Sequence, residues 1–112
     1  MARPTNRAYS RYGLDAIELL GQMIRVGRIE RKIPITEMAS RMGASRALVH
    51  RIEKGDPGCS IGAVFEAAAI AGVPLFESDT ERLAAHRATT GEMLKLLPKK
   101  ARKSRREVKD DF

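Results

Sequence analysis

The sequence predicts an all-α protein of five helices with a flexible basic tail at each end. Apolar residues recur at helical spacing, as at Ile17, Leu20 and Ile24. Serine stands before several of these segments and glycine or proline after them, as at helix caps and stops. The chain has 112 residues, 43% of them hydrophobic and 4% aromatic, which is enough for one small core.

The first three helices are predicted over residues 14–32, 35–42 and 46–54. Pro34 separates the first helix from the second. Gly43 ends the second helix, because glycine accepts the positive φ of a helix end. Ser45 is a suitable N-cap for the third helix, and Pro57 lies in the glycine-rich run that follows it.

The last two helices are predicted over residues 61–71 and 79–97. Ser60 caps the fourth helix, which is rich in alanine. Ser78 and Glu81 have the spacing of a capping box and begin the fifth helix. Gly91 is a point at which this helix could divide in two, and Pro98 ends it.

The positive charge is concentrated at the two ends of the chain. The formal net charge is +7 and the sequence pI is about 10.1. Residues 95–109 contain eight basic residues and one acidic residue, and residues 1–13 contain three basic residues. Residues 14–94 are nearly neutral, so the charge distribution predicts a polyanionic partner for the ends.

Several functional classes are excluded by what the sequence lacks. Cys59 is the single cysteine, so no internal disulfide forms, and no Cys/His cluster has zinc spacing. The first 13 residues lack the apolar run of a signal peptide, and no segment approaches about 18 apolar residues. Paired carboxylates, a nucleophile elbow and a phosphate-binding glycine loop are also missing. We therefore expect a cytoplasmic protein that is not an enzyme and uses no metal or cofactor.

Two groups of residues are expected to be structural. Met23, Met38 and Met42 lie at helical spacing and are expected to fill the core. Glu53 is expected to pair with an arginine of the first helix, such as Arg28, rather than to act as a catalytic acid.

The segment between the second and third helices is the most informative part of the chain. Only Gly43 and Ala44 separate the two short helices, which forces a sharp bend. Such a bend needs a small residue where the helices touch, here Ala39, and a residue that tolerates positive φ, here Gly43. Val49 and Ile52, three residues apart, supply the inner apolar face of the third helix. This order of residues is typical of a DNA-binding helix-turn-helix.

The run EMASRMGASRALVHRIEKG resembles the Xre-type helix-turn-helix domains, which are similar to the lambda and Cro repressors. The resemblance covers roughly residues 14–76 and implies a five-helix lambda-repressor-like fold. It departs at Pro34-Ile35, where family members carry Thr-Gln that holds a phosphate. The third helix also lacks an adenine-reading Gln or Asn in its first turn.

The resemblance implies which residues contact DNA. In this family the third helix enters the major groove with its N-terminal end first. Carried over by position, the contacting residues are Ser45, Arg46, Ala47, His50 and Arg51. Arg46 is the candidate for guanine O6 and N7, Ala47 for a thymine methyl, and Ser45 and Arg51 for phosphates. The alternative for Arg46 and Arg51 is a solvated helix face.

The C-terminal segment MLKLLPKKARKSRREVKDDF resembles the tails of HipB-type antitoxins. These are Xre proteins that repress their own operon and bind a HipA-like serine/threonine kinase toxin. The tail residues expected to contact DNA or toxin are Lys99, Lys100, Arg102, Lys103, Arg105, Arg106 and Phe112. The alternative is an arm that binds DNA without sequence preference. Phe112 follows two acidic residues, which favours a protein pocket over DNA.

The expected organisation has four parts. They are an N-terminal arm at 1–13, a helix-turn-helix domain at 14–76, a helix for dimerisation or partner contact at 77–97 and a basic tail at 98–112. One such domain covers a half-site, so we expect a homodimer on double-stranded operator DNA. The expected dimer surface comprises Val73–Phe76, Leu83, Leu94 and Leu97, with Tyr9 and Tyr12 as further candidates. The alternative for Leu75 and Phe76 is that they close the core of the monomer.

The resulting functional prediction is an autoregulating repressor and antitoxin, associated with the bacterial nucleoid. Two other interpretations stay open at this point. One is an Xre-family repressor without a toxin partner, in which the tail only strengthens DNA binding. The other is an adaptor or RNA-associated protein, in which the basic ends act without sequence discrimination.

Overall fold

The computed structural model describes residues 8–103. Within this range the chain forms five α-helices and no β-strand, which confirms the predicted all-α class. The helices are α1 Arg11–Glu30, α2 Ile35–Met42, α3 Arg46–Glu53, α4 Ile61–Ala71 and α5 Thr80–Lys95. The chain divides after Leu75 into two compact units, the first containing α1–α4 and the second α5. None of the helices in residues 8–103 is both long and apolar enough to cross a membrane.

Serine side chains cap three of the four helices of the first unit. Ser45 Oγ accepts the Leu48 amide at 3.1 Å, and Ser60 Oγ accepts the Ala63 amide at 3.4 Å. Both predicted caps are therefore confirmed. Ser10 caps α1 in the same way, so this helix begins at Arg11 rather than at the predicted residue 14.

The start of α5 differs from the prediction. Asp79, not Ser78, is the N-cap, and its Oδ1 accepts the Arg82 amide at 2.8 Å. A carboxylate is a strong cap acceptor, and Asp79 has the extended backbone that a cap requires. The helix continues through Gly91 without a break and ends at Lys95, two residues before the predicted end.

The core of the first unit lies where α1–α4 meet. Ile24, Met38 and Val49 are its largest fully buried side chains, one each from α1, α2 and α3. The buried cluster consists of Ile24, Ile33, Met38, Ala39, Val49, Ile52, Ala67, Ala68, Ala71 and Val73. Met42 packs against it, but Met23 is 43% exposed, so the prediction that Met23 fills the core is wrong. The reason is the rotation of α1 about its axis, which turns Ile24, the next residue, toward the core and leaves Met23 at the surface.

Two glycines of α1 allow the helices to approach closely. A Cβ on Gly21 would lie 2.5 Å from the Ile52 carbonyl oxygen at the end of α3. A Cβ on Gly27 would collide with the Ala71 carbonyl oxygen at the end of α4. These contacts fix α1 against the ends of α3 and α4.

A buried ion pair joins α1 to α3. Arg28 Nε donates to Glu53 Oε2 at 2.6 Å, and Arg28 Nη1 donates to the Ile33 carbonyl at 2.9 Å. Both residues are buried, and Nη1 of the exposed Arg25 lies 3.6 Å from Glu53 Oε1. The predicted structural pairing of Glu53 with Arg28 is confirmed.

Candidate nucleic-acid interface

A three-residue turn, Gly43–Ser45, joins α2 to α3. Gly43 has φ 65° and ψ 35°, the left-handed conformation predicted for it. The Ala44 amide donates to the Ala39 carbonyl at 2.9 Å, and the Ala39 side chain is buried. Val49 and Ile52 are buried on the inner face of α3, as their spacing predicts. The remaining side of α3 is left at the surface.

The exposed side of α3 forms a shallow groove with the start of α2. Four of the five predicted contact residues line this groove together with three residues of α2 and its cap. The lining residues are Pro34, Ile35, Thr36, Ser45, Arg46, Ala47 and His50. No lining residue carries a carboxylate, so the fixed side-chain charge of the groove is the Arg46 guanidinium.

Arg46 and Arg51 differ in what they contact. Arg51 Nε donates to Asp56 Oδ2 at 2.7 Å, and this hydrogen bond raises the pKa of the Arg51 guanidinium above its ordinary value. Asp56 Oδ1 also accepts the Gly58 amide at 2.8 Å, so the loop after α3 holds the carboxylate in place. Within residues 8–103, Arg46 has no such partner, and its guanidinium is exposed. Arg51 lies outside the groove lining.

The contribution of α2 to the groove was not predicted. Pro34 is the N-cap of α2 and provides no side-chain hydrogen bond to the first amides of the helix. Thr36 is exposed at this end and adds a hydroxyl to the groove. The sequence showed that Pro34 precedes α2, but the position of Pro34 beside α3 depends on how α2 packs.

The tail residues fall in two groups. Lys99, Lys100, Arg102 and Lys103 lie after α5 and are exposed. Arg105, Arg106 and Phe112 lie outside the described residues, as do residues 1–7 of the N-terminal arm.

The residues expected at a dimer surface have different environments. Val73 is buried in the core of the first unit, and Leu75 is half-buried against that core. Phe76 is 79% exposed and has φ 69°. Exposed side chains are also found at Tyr9, Tyr12, Leu83, Leu94 and Leu97.

Comparisons of this chain with protein-family models, with curated proteins and with solved structures find no match.

Proposed function

We propose that this chain is a sequence-specific DNA-binding repressor of the Xre helix-turn-helix type. The observation that supports this proposal is the groove formed by α2 and the first turns of α3. It presents an exposed guanidinium, a methyl group, a hydroxyl and an imidazole beside one another, with no carboxylate to repel a phosphate. Side chains of this kind, projecting from the N-terminal end of a helix, match the edges of bases in a major groove.

Each residue has a distinct role in the proposed complex. Arg46 donates to guanine O6 and N7, and Ala47 leaves room for a thymine methyl. Ser45 already accepts the Leu48 amide, so its own hydroxyl hydrogen is the group that meets a phosphate. Arg51 uses Nε for Asp56, and its terminal nitrogens supply the donors for a phosphate. Asp56 is therefore a positioning residue for Arg51.

The proposed repressor acts as a dimer. One α3 covers only a few base pairs, and proteins of this type bind two half-sites about one helical turn apart. The basic tail adds phosphate contacts that do not depend on sequence. Repression follows from occupation of the operator, so no chemical step is required of the protein.

The second unit favours an additional role as the antitoxin of a HipA-like serine/threonine kinase. Leu94, Leu96 and Leu97 are 55% to 87% exposed at the end of α5, next to basic residues. A DNA backbone offers no pocket for leucine side chains, whereas a protein partner does. The alternative is a repressor with no toxin partner, in which these leucines contact another copy of the chain.

The DNA-binding proposal is tested at Arg46. Duplexes bound by the full chain are first selected from random DNA, and affinity is then measured on the selected site and on unrelated DNA. We expect Arg46→Ala to weaken binding to the selected site by about 1–3 kcal/mol and to affect unrelated DNA less. Arg46→Lys keeps the charge but replaces the rigid planar fork of donors with a single ammonium nitrogen, so it should lose much of the discrimination.

Arg82→Ala is the matched control, because it removes an exposed arginine from α5 in the other unit. It should leave the ratio of selected-site to unrelated affinity unchanged. Unchanged discrimination in Arg46→Ala would contradict the assignment of α3 as the reading helix. Failure of the selection to enrich any sequence would favour the adaptor interpretation.

The antitoxin role is tested by affinity purification of the tagged chain from its native cell after nuclease treatment. A stoichiometric kinase-like protein is expected in the mass spectrum. Substitution of Leu94, Leu96 and Leu97 by serine should remove it while leaving DNA affinity intact. Recovery of this chain alone would favour the repressor without a toxin.

A further inference from the structure

The helix α1 has one buried side and an opposite side that is exposed and mostly apolar. One side faces the core through Gly21, Ile24 and Arg28. The other side is exposed over the length of the helix. Its residues, here called the α1 stripe, are Tyr12, Ala16, Leu19, Met23, Val26 and Glu30.

The exposure of the stripe is large for a helix of a small domain. Tyr12 is 86% exposed, Leu19 56% and Val26 54%. The six residues of the α1 stripe are separated alternately by four and three positions, which is the repeat found where two helices pair in a coiled coil. An extended apolar surface of this kind marks an interaction site.

We propose that the α1 stripe pairs with the same stripe of a second copy, with the two α1 helices antiparallel. A two-fold interface buries the same patch from both copies and therefore needs a self-complementary patch. The stripe meets this condition: an antiparallel alignment sets Leu19 opposite Met23, Ala16 opposite Val26 and Tyr12 opposite Glu30.

The ends of the stripe favour the antiparallel direction. Glu30 is its only charged member and lies at the C-terminal end, while Arg11 and Tyr12 lie at the N-terminal end. Antiparallel pairing brings the Glu30 carboxylate of one copy to the Tyr12 hydroxyl of the other and to its Arg11 guanidinium, which also lies 3.9 Å from Asp15 of its own helix. Parallel pairing would instead place the two Glu30 carboxylates against each other, which is unfavourable.

A second copy of the chain also offers a matching surface for the α1 stripe. Of these helices, only α1 exposes an apolar stripe with the required spacing. The stripe continues into a groove whose far wall is the segment Ala71–Pro74, so the surface around Leu19, Met23 and Val26 is concave. Because α3 packs against the opposite side of α1, at Gly21, pairing leaves the α2–α3 groove uncovered.

This inference specifies the surface of the dimer included in the proposed function, and it is tested in the absence of DNA. Sedimentation equilibrium of the full chain at micromolar concentrations should show a dimer. Leu19→Glu should raise the dimer dissociation constant by at least about a hundredfold. In a two-fold dimer the substitution places two carboxylates, one from each copy, in the buried interface. Ile61→Glu, at an exposed apolar residue of α4, is the control and should leave the constant unchanged.

Mixing two variants tests the direction of the helices. Met23→Lys alone should also dissociate the dimer. Mixed with Leu19→Glu, it should form a heterodimer, since one antiparallel contact then pairs glutamate with lysine and the other keeps leucine with methionine. Far-ultraviolet circular dichroism should show unchanged helix content in each variant.

A chain that is monomeric without DNA, or a dimer that Leu19→Glu does not weaken, would overturn the proposal. Absence of the heterodimer would overturn the antiparallel arrangement. Neither result affects the outcome at Arg46, so failure of the dimer surface is distinguishable from failure of DNA binding.

Discussion

Glu53 and Arg28 form the only ion pair between two buried side chains in the described part of the chain. The guanidinium donates to both Glu53 oxygens and to the Ile33 carbonyl, so the buried charge is compensated by charge-assisted hydrogen bonds. Removing Glu53 leaves the Arg28 charge in the interior with only the Ile33 carbonyl as a partner.

We therefore expect Glu53→Ala to lower the free energy of unfolding by about 3–5 kcal/mol. Urea unfolding followed by circular dichroism measures the change. Glu37→Ala is the matched control, because Glu37 pairs with Arg41 at the surface, where such pairs contribute about 0–1 kcal/mol. Equal decreases in the two variants would contradict the structural role assigned to the buried pair.

Cys59 lies half-buried in the loop after α3. Burial raises the pKa of its thiol above the ordinary value, and the nearby Arg51 charge partly opposes this shift. A raised pKa reduces the thiolate fraction at neutral pH, and the thiolate is the form that reacts with alkylating reagents.

The pH dependence of Cys59 alkylation should therefore give a higher pKa for the folded chain than for the same chain in urea. The raised folded pKa means that the contribution of this group to stability is present below the unfolded pKa and decreases as the pH rises above it. Arg51→Ala should raise the folded pKa further, because it removes the opposing charge. A folded pKa at or below the unfolded one would contradict this account.

At the scale of elements, two glycines let α1 lie close against the ends of α3 and α4. Alanine normally stabilises a helix interior by about 1 kcal/mol relative to glycine. At Gly27 the new methyl group would meet the Ala71 carbonyl, which is backbone and has little room to move.

We expect Gly27→Ala to lower the thermal unfolding midpoint despite the gain in helix propensity. Gly62→Ala is the comparison, because Gly62 lies in α4 with open space around it. This substitution should raise the midpoint. Differential scanning calorimetry of the two variants checks the signs. A higher midpoint in both would show that α1 and α4 are not in the close contact described.

At the scale of the whole molecule, the proposed complex uses the first unit for base reading and its nearby phosphate contacts, and the basic residues after α5 for further phosphate attraction. The groove with Arg46 belongs to the first unit, and the exposed basic residues after α5 belong to the second. Each phosphate that a protein neutralises releases counterions, so the number of neutralised phosphates determines the salt dependence of binding.

Replacing Lys99, Lys100, Arg102 and Lys103 by alanine should make the plot of log affinity against log salt shallower, by about 0.9 for each phosphate that is no longer neutralised. The ratio of selected-site to unrelated affinity should change little, since phosphate contacts carry no sequence information. Binding titrations at several salt concentrations measure both quantities. An unchanged slope would mean that these charges do not contact DNA and are available to a protein partner.

The sequence by itself determined the features that depend on near neighbours along the chain. The Ser45 cap and the Gly43 turn need only the residues within one helical turn, so the end of α2 and the start of α3 were predictable. The inner face of α3 followed from the spacing of Val49 and Ile52 for the same reason.

The tertiary structure decided which exposed groups share a surface. Met23 and Ile24 are both apolar and neighbours in α1, so the sequence allowed either to face the core. The packing of α3 and α4 on Gly21 and Gly27 turned only Ile24 inward. Similarly, contact between α2 and α3 placed Thr36 beside Arg46 in one groove. Caps and periodicity are local properties of the chain, whereas the rotation of a helix is fixed by partners distant in sequence.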